Sequence, residues 1–301
     1  MIFLPKNVDS KQLLEGIIDL GWDVIGILQS YSKNNESSND FQSKLKIINY
    51  ESGPVTSADL EISAFIKKEI KRKFPLACWD FLSEEDVKNN KSKQFESKWV
   101  WIIDPIDGTK DFINQTGEYA VHLALNYDNK VVLGVVPIPS KNQLWISFDG
   151  MGTWCETRDS KNILPIKINA KDLNELKIIT SKTHMHKKFK VLIDELKPKD
   201  TIGMGSLGYK IVSLLTGIGD LYISYSLPGG SSPKDWDLAG PMVLIKNAGG
   251  YFTDINGIDL EFLKEPNFEQ KGILVASMNL NHKQICLRIK AIVKNNNLPL
   301  G

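Results

Sequence analysis

The chain has 301 residues, 42% of them apolar, 24% charged and 9% aromatic. That is enough to bury the core of one large or two ordinary domains, and it excludes disordered and collagen-like chains. Thirty-seven basic residues against 36 acidic ones leave a formal charge of +1, so no overall field draws the chain to a nucleic-acid polymer or an anionic membrane, and an anionic ligand needs a local site.

In chain order, Leu13, Leu14, Ile17, Ile18, Val24, Ile25 and Leu28 recur at helical spacing and predict an amphipathic helix over 10–32. The polar run 33–44 reads as loop. Leu60, Ile62, Phe65, Ile66 and Ile70 predict a second helix from Ser57 to Lys73, ended by Pro75. Residues 86–98 read as a charged loop. Trp99–Ile103 is a short apolar strand stopping at Asp104, and 119–127, 131–137 and 143–148 read as the strands of an antiparallel meander. Residues 157–172 form the expected seam between a first half, 1–160, of helices plus antiparallel sheet and a second α/β half, 161–301. In the second half Leu176–Thr180, Leu221–Ser224 and Ile273–Ala276 read as strands. Lys187–Leu196, Gly205–Gly217, Asp237–Asn247 and 279–295 read as helices, and Asn256-Gly257 as a hairpin turn.

Three cysteines, Cys78, Cys155 and Cys286, are too few and too scattered for a disulfide framework or a zinc cage. No stretch reaches the ~18 apolar residues of a membrane span, and the opening MIFLPKNVDSKQ has no apolar signal-peptide core. A cytoplasmic setting without membrane attachment is expected. His184 and His186 lie in the lysine-rich SKTHMHKKFK, where a solvated loop or strand edge is the more ordinary reading than a ligand role.

The segment Trp99–Asn114, WVWIIDPIDGTKDFIN, carries the chemistry. Two carboxylates three residues apart at a strand end, Asp104 and Asp107, repel one another and persist most easily around a cation. The amides after Gly108 open a helix, where an anion is favoured. Spacing alone slightly favours a plainer reading, a tight Asp-Gly turn with a capping carboxylate. Three further acidic positions shift the balance: Glu84 and its neighbours Glu85 and Asp86, Asp59 behind Thr56, and Asp237 in DWDLAG. Each has an ordinary explanation as a solvated face or a helix cap. Together they are strand-end and helix-start acids of the kind Mg²⁺ takes alongside waters and a substrate phosphate.

This combination resembles the lithium-sensitive, magnesium-dependent phosphatase superfamily of inositol monophosphatase, fructose-1,6-bisphosphatase and the 3′(2′),5′-bisphosphate nucleotidases. The first motif stands as Asp104-Pro105-Ile106-Asp107-Gly108-Thr109. The second stands as Trp236-Asp237-Leu238-Ala239, closed by Ala248-Gly249-Gly250, and the shorter signatures as Thr56–Asp59 and Glu84-Glu85. The resemblance implies a layered α-β-α-β-α sandwich, the sugar-phosphatase fold, of α+β and α/β character. It implies that Glu84, Asp104, the Ile106 carbonyl, Asp107 and Asp237 hold two Mg²⁺ ions, with Asp59 at a third, weaker one. Thr109, paired with Asp59 or Glu84, would orient the attacking water, and the Gly108 and Thr109 amides would cradle the phosphate. No serine, cysteine or histidine nucleophile is required, and direct hydrolysis is expected.

Within the superfamily, Ser83-Glu84-Glu85, Asp107-Gly108-Thr109-Lys110-Asp111-Phe112 and Gly117-Glu118-Tyr119 are most similar to the bisphosphate nucleotidases. By that resemblance Lys110, Gly205, Ser206, Lys210 and His184 would bind substrate, Lys210 meeting the phosphate that is not cleaved. The expected activity is removal of the 3′-phosphate of adenosine 3′,5′-bisphosphate, which belongs to sulfur metabolism. Against this, 222–234 lacks the arginine the nucleotidases carry, and Lys234 offers only a point charge in its place. The alternatives are an inositol or sugar phosphate phosphatase, or a non-catalytic relative that binds a phosphorylated ligand and regulates a partner. Such a relative would be expected to have lost a metal carboxylate, and none is missing here. Expected partners are a small phosphorylated metabolite and, as in many relatives, a second copy in a homodimer.

Overall fold

The computed structural model describes residues 4–31, 45–50, 53–88, 94–163, 169–183, 185–264 and 268–300. In chain order the elements are α1 (Ser10–Ser30), β1 (Ile47–Tyr50), β2 (Gly53–Thr56), α2 (Ser57–Lys73), β3 (Asp80–Ser83), α3 (Glu84–Lys88), β4 (Trp99–Asp107), α4 (Thr109–Ile113), β5 (Ala120–Tyr127), β6 (Lys130–Ile138), β7 (Gln143–Phe148), β8 (Gly152–Glu156) and β9 (Lys161–Ile163). There follow β10 (Lys177–Ser181), α5 (Lys187–Leu196), β11 (Asp200–Met204), α6 (Leu207–Leu215), β12 (Leu221–Tyr225), α7 (Asp235–Asn247), β13 (Tyr251–Asp254), β14 (Ile273–Ser277) and α8 (His282–Asn295).

β3 to β9 form a seven-stranded sheet in chain order, parallel between β3 and β4 and antiparallel thereafter. The meander expected from 119–148 is its centre. β10 to β14 form a five-stranded sheet ordered β11-β10-β12-β14-β13. The expected stop at Asp104 is corrected: β4 runs on to Asp107, with a register shift between Asp104 and Asp107 that lets Pro105 sit without a ladder role. The expected loop at 86–98 begins inside α3, and the first sheet extends to Ile163.

Strand alternation builds the layers. On β4, Trp101 and Ile103 turn to one face, where α1 and α2 cover them with Leu13, Ile17, Ile62 and Ile66. Val100 and Ile102 turn to the other, against Ile211 of α6 and Leu238 and Leu244 of α7. The same core takes in Ile179, Tyr222 and Leu274 of the second sheet, so α6 and α7 form a middle layer. Ile178, Ile223 and Val275 face outward against Phe189 of α5 and Ile289 of α8. The result is the α-β-α-β-α sandwich. α7 lies so close to β6 that a side chain at Gly134 would run into Val243. Asp104 has the strand parity of Val100 and Ile102 and therefore faces the middle layer, where α7 begins.

Candidate metal centre and active site

Ser83 pairs with Ile103 in the parallel β3–β4 ladder, so the next residues, Glu84 and Asp104, emerge side by side, Glu84 just past the end of β3 and Asp104 where the β4 ladder meets its bulge near the strand's carboxyl end. Ligand sites in open sheets favour such ends. Asp107 follows across the bulge, and Asp237 arrives from the first turn of α7. Oxygens of Asp104, Asp107 and Asp237 lie within 4.8 Å of one another, the one such group among the described residues that could hold a metal ion.

Each acid is fixed through one oxygen. The Ile106 amide donates to Asp104 Oδ1 (3.1 Å), and the Lys234 amide donates to Asp237 Oδ2 (2.6 Å). Asp107 Oδ2 accepts from Ser206 Oγ (2.5 Å) and the Gly208 amide (3.1 Å). Asp59, fully buried, caps α2: its Oδ2 accepts the Thr56 amide and hydroxyl at 2.7 and 2.6 Å, while Thr109 Oγ1 stands 3.4 Å from its Oδ1. The capping role is realised, while Asp59 stands outside the group of three that Asp104, Asp107 and Asp237 form and meets Thr109 instead. Thr109 Oγ1 also donates to the Ile106 carbonyl (3.1 Å). Gly108 precedes Thr109 with φ +89°, a left-handed conformation that favours glycine and turns the chain from β4 into α4.

Burial and crowding set the electrostatics. Asp104 is held well above the usual carboxylate range by burial, then by the charges of Glu84, Asp107 and Asp237. Burial also pushes Asp237 to about 7, helped by Asp107 and Glu84, and Asp59 to about 6 against its bonds from Thr56. For Asp107 burial works upward too, but His122, Lys210 and Ser206 outweigh it and bring the group down to about 2. Three carboxylates packed this tightly in a buried place, two of them resisting ionisation, form a hard oxygen set that a small divalent cation fits.

Glu84 stands at the edge of this set, its carboxylate 2.7 Å from the Lys88 ammonium. Lys88 closes α3 one turn after Glu84 and also lies 3.5 Å from Glu85. Reading 86–98 as loop hid that i,i+4 pair.

Gly205 and Ser206 bind the first half of the chain: the Gly205 amide donates to Glu118 Oε2 (2.6 Å) and the Ser206 amide to the Glu118 carbonyl (3.0 Å). Lys210 is buried, donates to the Gly205 carbonyl, lies 5.8 Å from the centre of the Tyr222 ring, and feels Asp107, Asp111 and Asp237. Lys110 is exposed in the first turn of α4. Lys234 is held by Glu269. His184 lies outside the described residues. His186 is not a solvated loop residue: it caps α5, its Nδ1 accepting from the Phe189 amide (3.1 Å).

The inositol monophosphatase family model matches residues 9–294. The chain belongs to this family. Members of the family are phosphatases of small phosphorylated metabolites. The 3′(2′),5′-bisphosphate nucleotidase CysQ of Haemophilus influenzae is 27% identical over 252 residues, 82% of this chain and 91% of that protein. Inositol monophosphatase 3 of Solanum lycopersicum is 27% identical over 219 residues, 69% and 75% of the two chains. The solved structure of inositol monophosphatase-II from Staphylococcus aureus shares the fold, with a TM-score of 0.71 over 95% of this chain and all of that one at 20% identity. Among the described residues no helix is long and apolar enough to cross a membrane.

Proposed function

We propose that this family member is a Mg²⁺-dependent phosphomonoesterase that removes the 3′-phosphate of adenosine 3′,5′-bisphosphate. The observation that carries the phosphatase chemistry is the convergence of Asp104 and Asp107, from the last part of β4, and Asp237, from the first turn of a helix distant in sequence, on one point. In this reading Asp104, Asp107 and Asp237, with Glu84 and the Ile106 carbonyl, hold two Mg²⁺ ions, and Asp59 contributes to a third. When bound, the ions supply Lewis acidity to the phosphoryl oxygens and to the attacking water.

The protein's own groups do the rest. Each carboxylate is anchored by one oxygen and keeps the other for the cation, which fixes the site before substrate arrives. Thr109 and Asp59 align the water and receive its proton, the Thr109 hydroxyl turning from the Ile106 carbonyl to pass its own proton to Asp59 Oδ1 as it accepts the water's. The amides of Gly108, Thr109 and Lys110 cradle the phosphate being transferred. Lys210, with Gly205 and Ser206 setting its helix, faces the second phosphate.

The nucleotide reading draws support from the CysQ relatives and from the buried Lys210 at the acidic centre. An inositol or sugar phosphate is favoured instead by one observation: the Lys234 charge is already met by Glu269, so no spare cation in that stretch stands in for the absent arginine. Phosphate release with Mg²⁺ from adenosine 3′,5′-bisphosphate, inositol 1-phosphate and fructose 1,6-bisphosphate decides between them. The highest kcat/KM is expected for the first, and a preference for inositol 1-phosphate rejects the nucleotide assignment.

A further inference from the structure

His122 belongs to none of the motifs, yet it is fully buried in the site. It stands on β5 directly across the ladder from Asp104, and the alternation that turns Asp104 toward the middle layer turns the imidazole the same way. Its Nε2 lies 3.2 Å from Asp107 Oδ2, off the line of a well-formed hydrogen bond. Its Nδ1 lies 3.3 Å from the carbonyl oxygen of Trp236, the residue before Asp237. One rigid ring therefore touches the strand-end acid of the first sheet and the helix turn that delivers the acid from the second half. Gly208 completes the fit. Its amide donates to the same Asp107 oxygen, and a side chain there would collide with the imidazole Nε2.

We propose that His122 is a positioning residue for the cation centre: it holds Asp107 with Oδ2 turned toward Ser206, Gly208 and its own ring, leaving Oδ1 to face Asp104 and Asp237. The inference rests on the metal-dependent reading of the site. A carboxylate pivots freely about its last torsion, and two like-charged neighbours give Asp107 reason to swing away when no cation is present. Two hydrogen bonds, from Ser206 and Gly208, and the close approach of the ring converge on one oxygen and remove that freedom. The ring is the stiffest of them, because it is packed on all sides and cannot rotate as the Ser206 hydroxyl can. Partners of this kind, which touch the ligand and not the ion, typically change metal affinity by about 10–100-fold.

The test is calorimetric titration of Mg²⁺ into the intact, metal-stripped chain, with the metal-free thermal midpoint measured alongside. H122L keeps an apolar body of similar size without a donor, and H122Q places an amide N–H where Nε2 now stands. H122L should bind Mg²⁺ about 10–100-fold more weakly than wild type, and H122Q within about threefold of it, although both lose the imidazole's packing. Unchanged affinity in H122L overturns the proposal. So does an equal loss in both variants with equally lowered midpoints, which makes His122 a packing residue. Where H122L fails to fold, H122M takes its place with the same two outcomes. A wild-type chain that binds no Mg²⁺ removes the metal-dependent reading itself, a result distinct from wild-type binding that His122 does not influence.

Discussion

Thr109 Oγ1 stands 3.4 Å from Asp59 Oδ1, two residues 50 positions apart brought together by the turn out of β4 and the cap of α2. The cap occupies only the other Asp59 oxygen. Stability and chemistry are therefore separable at one side chain. Replacing Thr109 by Val, or Asp59 by Asn, should lower kcat for phosphate release by about 10²–10⁴-fold while the fold persists, because an amide oxygen can still accept from Thr56. Phosphate release and a thermal melt on each variant check this; full turnover in both excludes the pair from proton handling.

In the metal-free protein the buried carboxylates oppose folding as pH rises. Asp237 and Glu85 are raised to about 7 and Asp59 to about 6, burial being the largest cause in each. Unfolded, these groups ionise near pH 4, so between about pH 4 and 7 the folded state binds more protons, and its stability declines toward the alkaline side. Asp107, lowered to about 2, acts in the opposite sense, but its contribution is lost only below about pH 4. Mg²⁺ removes the part of the penalty that falls on Asp237 and Asp59. The rise in melting temperature on adding Mg²⁺ to chelator-treated protein should be larger at pH 8 than at pH 6. An equal rise at both contradicts the carboxylate account.

A second titration runs the other way, at a histidine outside the acidic group. His282 is buried against Ser277 (2.8 Å to Nδ1) and Thr253 (2.9 Å to Nε2), with its ring stacked on Tyr251. Burial pulls its pKa from 6.5 down to about 4. Folding favours the neutral ring, so this contribution is complete above about pH 6.5 and is lost as pH falls toward 4. Denaturant unfolding of wild type and H282N at pH 7 and 4.5 separates it from the carboxylates. Wild type should lose about 2 kcal/mol more than the variant on acidification. Equal losses assign the acid sensitivity elsewhere.

Local pattern revealed the elements with a sustained apolar signal. The helix expected over Lys187–Leu196 matched closely because one of its faces is apolar, and the strands at 119–148 because they are buried on both faces and run almost continuously apolar. β3, with only Phe81 and Leu82 apolar, and β11, mostly exposed, carry too little pattern to show. The candidate acids were legible because Asp104, Asp107 and Asp237 sit in compact motifs at element ends. What tightens them was not: Ser206 reaches Asp107 across 99 residues, and His122 is adjacent to Asp104 only through strand register. A lone histidine on an apolar strand carries no signal until the ladder is known. Lys88 failed to show for the opposite reason, since its neighbourhood is so charged that one more lysine looks solvated.

The most direct measurement is Mg²⁺-dependent phosphate release by wild type and by D237N, whose carboxylate alone reaches the centre from α7. Wild type should release phosphate only when Mg²⁺ is present, and D237N should remain folded with activity reduced by at least ~10³-fold. Wild-type turnover in excess chelator, or a D237N chain as active as wild type, would contradict a shared cation centre joining the two halves.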